Sequence, residues 1–146
     1  VLAQLRLHKH AAVQAAPSSS PAGKWQNGIV LDKAELATDA EGLPRGISLT
    51  WAPTATIQSD YTVFVQVLDR DNNILAQVDS QPQGGSYPTS TWRAGDVITD
   101  TVSFPGEAGT GGWTRVILGL YGADGRRLPL EGGVDFMEVA NSAANK

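Results

Sequence analysis

The strongest pattern in the chain is period-two alternation of apolar and polar residues. In "DYTVFVQVLD" (60–69), Tyr61, Val63, Val65 and Val67 share one face, and Phe64 and Leu68 lie on the other. Alternation of this kind marks a β-strand, and apolar residues on both faces predict one covered on both sides. "GISLTWAP" (46–53) places Ile47, Leu49 and Trp51 on one face, and Pro53 bars its continuation as a central strand. "GIVLDKAEL" (28–36), "ILAQVDS" (74–80), "DVITDTVSF" (96–104) and "WTRVILGLY" (113–121) read as further strands, and "LPL" and "VDFMEVA" as short final ones. "RDNN" and "GADGRR" are hairpin turns, with Asp124-Gly125 predicting a type I′ tip. About eight strands with no helical run predict an all-β, antiparallel two-sheet sandwich, immunoglobulin-like or jelly-roll-like. Strand order is not readable from this pattern.

Before residue 25 the pattern weakens. "VLAQLRLHKH" (1–10) alternates faintly and favours an edge strand, while "AAVQAA" lets a short helix compete. "APSSSPAGK" (16–24) is a Pro/Ser linker or long loop. The expected organisation is an N-terminal strand or remnant of a preceding unit (1–15), the linker (16–24), the sandwich (25–140) and a polar tail (141–146).

Composition narrows the function classes. With 41% hydrophobic and 18% charged residues, the 146-residue chain has the make-up of one folded domain. The net charge of −4 and the lack of a dense basic patch argue against a nucleic-acid partner. With no cysteine, disulfides, thiolate metal sites and a cysteine nucleophile are excluded. No apolar run approaches the roughly 20 residues of a membrane span.

Catalytic motifs are not evident. The two histidines, His8 and His10, stand at i, i+2, on one face of a strand, and no third ligand or local serine motif supports them as a metal or catalytic pair. They read as exposed polar residues. "DRDNN" sets Asp69, Asp71 and Asn73 at calcium-loop spacing, but Ile74 stands where glycine is needed and Ser80 where the bidentate glutamate belongs. The expectation is therefore no enzyme, no metal and no cofactor. Four tryptophans and three tyrosines are the remaining candidates. Trp51 reads as core and Trp113 as part-buried. Trp92 and Tyr87 fall in the loop "GGSYPTSTWRAGD" (84–96), where they would either stack on sugar rings or plug one end of the sandwich. In the glycan-binding reading the site residues are Trp92 and Tyr87 for stacking, with Arg93 and Asp79 bonding hydroxyls. The packing reading is favoured for Trp92.

A string of motifs carries a resemblance: Tyr61–Val65, Leu68–Asp69, Ala76–Asp79, Pro82–Gly85, Pro88–Asp96, Gly119–Tyr121 and Gly125–Pro129. Over roughly residues 46–130 the chain resembles the C-terminal β-sandwich domain of large multispanning bacterial membrane glycosyltransferases. These are of the dolichyl-phosphate-mannose (family 39-like) type, found particularly in Chloroflexi-like bacteria. Gly122 departs from that pattern, where aspartate is expected. The resemblance implies a non-catalytic accessory domain outside the cytoplasm, tethered to the membrane through a region upstream of Val1. Its implied partners are the parent membrane protein and a glycan or lipid-linked sugar. The alternatives are a structural spacer without a ligand, and a hydrolase or transferase.

Overall fold

A computed structural model of the chain describes residues 22–105 and 111–143. Eight strands form there: β1 (Gly23–Lys24), β2 (Val30–Thr38), β3 (Pro44–Trp51), β4 (Thr62–Asp69), β5 (Ile74–Ser80), β6 (Ile98–Ser103), β7 (Trp113–Tyr121) and β8 (Met137–Asn141). They build two antiparallel four-stranded sheets, ordered β1-β2-β3-β6 and β5-β4-β7-β8. The chain crosses between sheets after β3, after β5 and after β6. That is the Greek-key order of an immunoglobulin-like sandwich, with β5 remaining beside β4. Among the described residues no helix is long and apolar enough to cross a membrane.

Alternation explains the layering. Ile47, Leu49 and Trp51 from β3 face Val63, Val65 and Val67 from β4 and Val116, Leu118 and Leu120 from β7, all at most 1% exposed. β4 is central in its sheet, paired on both sides. Its outward residues Phe64 and Leu68 join Ile117 in a second small core, with Tyr121 and Phe136 packed on it. This is the double cover that its two apolar faces predict.

Five turns share one geometry. In Trp25–Ile29, Asp39–Leu43, Asp69–Asn73, Gly122–Arg126 and Leu130–Val134 the first N–H donates to the fifth carbonyl, and the fourth N–H to the first carbonyl. Each fourth residue has positive φ: Gly28, Gly42, Asn72, Gly125 and Gly133. This is a type I turn closed by a left-handed residue, the three-residue hairpin loop. The expected type I′ turn at Asp124-Gly125 is therefore corrected: only Gly125 is left-handed (φ 81°), whereas type I′ needs both central residues there.

Two further expectations change. Gly23 and Lys24, assigned to the linker, pair with Leu31 and Val30. "LPL" forms isolated bridges rather than a ladder, because the chain there serves both sheets. Leu128 N–H donates to Leu120 O on β7, while Gln26 N–H donates to Pro129 O and Glu131 N–H to Lys24 O. The strand expected at Val1–His10, with His8 and His10, lies outside the described residues, as do 16–21 of the linker and the last three residues of the tail.

Candidate functional site

Strand register gathers three segments at one end of the sandwich. Trp51 pairs with Ile98, Val63 with Ser80 and Thr62 with Tyr121, so 52–61, 81–97 and the 122–126 turn lie together. The stretch 84–96 is the crossing from β5 to β6, as its position between two strand patterns indicates.

Inside this crossing the side chains are turned inward. Trp92 is 0% exposed. Its Nε1 donates to Tyr87 O (3.1 Å), and its ring lies 5.7 Å from that of Trp51, which lies 5.7 Å from Trp25. Trp92 O accepts from Ile57 N–H (3.2 Å), and Gly95 N–H donates to Pro53 O (3.1 Å), fixing the crossing to the 52–61 segment. Thr89, also fully buried, donates its hydroxyl to Ser59 O (2.7 Å) and accepts from Tyr61 N–H (2.8 Å). Asp96 accepts from Arg93 N–H (2.9 Å) and closes the turn in which Gly95 has φ 92°. Earlier in the crossing, Gln83 holds positive φ (54°), which β-carbon crowding disfavours. Its N–H donates to Asp100 Oδ1 (3.0 Å) and its Nε2 to Thr99 O (2.7 Å), both on β6. Partial burial raises the Asp100 pKa, and the N–H groups of Gln83 and Thr101 oppose that rise.

The four residues proposed from the sequence are not brought together. Trp92 offers no face to solvent and cannot stack on a ligand; it plugs the sandwich end, the packing reading favoured above. Tyr87 is half-buried against the core, its hydroxyl near Asp96 (3.5 Å). Arg93 is exposed on the turn. Asp79 stands on the outer face of the second sheet, where it accepts from Tyr121 OH (2.8 Å) and Gln77 Nε2 (2.8 Å). The sequence reading missed Gln66, Gln77 and Tyr121 as neighbours of Asp79. Alternation placed Gln77 and Asp79 on one face, but only the strand order brings β4 and β7 beside them.

At the calcium-like turn, Asp69 Oδ1 accepts from Asp71 N–H (2.8 Å) and Asn73 N–H (2.9 Å), and Oδ2 from Asn73 Nδ2 (3.1 Å). These donors hold the Asp69 pKa below its ordinary value, the Asn73 N–H foremost. Donors occupy the carboxylate, so it caps the turn instead of facing a cation. No metal-ligand cluster occurs among the described residues. A shallow cleft of about 620 Å³ between 59–61 and 122–128 is lined by Asp60, Tyr61, Asp124, Arg126 and Arg127. Arg126 pairs with Asp124 (3.8 Å) and Arg127 with Asp135 (3.5 Å), and Asp60 Oδ1 accepts from Ser90 N–H (3.2 Å).

Fold and site together define an immunoglobulin-like β-sandwich module whose loops at one end are bonded to one another. No family model, curated protein or solved structure matches the chain.

Proposed function

We propose that the chain is a non-catalytic accessory β-sandwich of a bacterial cell-envelope glycosyltransferase-like membrane protein. It is held outside the cytoplasm by a region upstream of Val1 and packs on or orients its parent. The observation that supports this reading is the use made of the resemblance-bearing loop. Pro88, Thr89 and Trp92 serve the joinery of the sandwich end, with Trp92 and Thr89 fully buried. A signature spent on internal packing fits a scaffold better than a reaction centre. For Trp92 itself, burial favours the structural role over sugar stacking.

Reading the gene product upstream of Val1 tests the proposal. The expected result is several apolar segments of about 20 residues. An upstream region without spans, or a gene that begins at this domain, contradicts it.

A further inference from the structure

On the outer face of the second sheet, four polar side chains from three adjacent strands form one hydrogen-bonded line. Gln66 on β4 donates from Nε2 to Gln77 Oε1 on β5 (3.3 Å). Gln77 donates from Nε2 to Asp79 Oδ1 (2.8 Å), and Tyr121 on β7 donates its hydroxyl to Asp79 Oδ2 (2.8 Å). The Tyr121 ring, half-buried, stacks on Phe64 at 6.3 Å between centroids and 29° between planes. Arg127 lies 4.3 Å from the Phe64 ring centroid, on the same face.

Stability does not call for this array. Exposed polar pairs contribute about 0–1 kcal/mol, and ordering long side chains costs rotamer entropy of similar size. The array also leaves hydrogen-bonding capacity unused. A carboxylate has about four lone-pair sites, and each amide has two donors, so the line still presents acceptors at Asp79 and further N–H groups at both glutamines. Beside them stands the half-exposed Tyr121 ring.

We propose that this face binds a neutral polyhydroxylated ring, one sugar residue of a glycan. Each sugar hydroxyl both donates and accepts, which matches a carboxylate flanked by amides. The C–H face of a pyranose packs on an aromatic ring. Asp79, the one acid in the line, disfavours an anionic ligand, and the shortage of exposed apolar side chains disfavours a protein surface: Ile74 and Val134 are the large exposed ones among the described residues. The site is on the outer face of the second sheet, whereas Trp92 of the 84–96 crossing is buried in the core. The site does not depend on the accessory-module reading.

The test is a neutral-glycan array followed by NMR titration of the isotope-labelled chain with the best array binder. Saturable shifts of the Gln66 and Gln77 side-chain amides and of the Asp79 and Tyr121 backbone are expected. Asp79→Ala weakens binding about tenfold or more, and Tyr121→Ala does likewise while Tyr121→Phe retains part of the affinity. Glu35→Gln, on the other sheet, leaves affinity unchanged. An array with no binder, shifts confined to another surface, or affinity unaltered by Asp79→Ala in a chain whose spectrum is otherwise that of the folded protein overturns the proposal.

Discussion

Thr89 is the one fully buried polar side chain among the described residues, and both its hydrogen-bonding roles are used. Thr89→Val keeps the shape and strands Ser59 O and Tyr61 N–H. It is expected to cost about 1–3 kcal/mol in urea unfolding, the desolvation cost of unpaired groups, with Thr89→Ser losing clearly less. Trp25 and Trp51 make the opposite compromise: neither Nε1 has an acceptor. Each orphan N–H costs about 1–3 kcal/mol, yet burying an indole of roughly 200 Å² at about 25 cal/mol per Å² returns about 5 kcal/mol, so ring packing wins. The carboxylates supply a pH test. Leu43 N–H, foremost, lowers the Asp39 pKa, and Asn73 N–H lowers that of Asp69. Both groups therefore stabilise the fold above the ordinary 3.8, and that contribution is lost as pH falls through their folded values. Burial raises Asp100, so its ionisation opposes folding and is relieved as pH falls through its folded value toward 3.8. Carboxyl NMR titration should place Asp39 and Asp69 below 3.8 and Asp100 above it; the reverse order contradicts these hydrogen bonds. Sequence spacing showed that Trp51 is core, because its strand alternates. Trp92 sits in no periodic pattern, and its burial depends on where 52–61 folds.

Strands β2 to β7 were legible, each read to within about two residues of its observed bounds, because each keeps its two-residue period; β8 starts three residues later than its pattern, β1 had been assigned to the linker, and "LPL" forms no strand. Of the five turns only those at 69–73 and 122–126 were read as such, from "RDNN" and "GADGRR"; their positions were legible from the Asn or Gly that the left-handed fourth residue requires. Turn type was not. Asp124-Gly125 is compatible with type I′ and with the observed bulged turn, in which Gly125 alone of the pair is left-handed. The same shared turn gives the Gly122 departure a physical reading. Asp39 and Asp69 occupy the equivalent first position and cap their turns; at Gly122 the cap comes instead from Asp124, whose Oδ1 accepts from Arg126 N–H (3.0 Å). An aspartate at 122 would thus be a turn cap. Within β7, Gly119 is the element's narrowest point. A β-carbon there would run into the Phe64 ring and come within 2.8 Å of Asp135 O. Gly119→Ala should cost about 1–3 kcal/mol by displacing Phe64 and the 131–136 segment, while the first sheet keeps its amide spectrum. An unchanged unfolding midpoint contradicts that packing.

For the molecule as a whole, strand order lay beyond the sequence pattern. Crossings of about ten residues or more, such as 52–61 and 81–97, allow several pairings, and side-chain burial across both sheets selects one. That selection also determines which polar residues meet. It separates Asp79 from Trp92 and gathers it with Tyr121, Gln77 and Gln66. One end of the sandwich is consequently a closed joint, and the outer face of the second sheet carries the polar line. Trp92, fully buried, is the keystone of that joint. Urea unfolding of Trp92→Ala against the parent chain tests it most directly. A loss of about 3–5 kcal/mol with a single cooperative transition is expected for a fully buried indole. A loss within about 0.5 kcal/mol, the range of surface substitutions, would show the ring facing solvent and contradict the account.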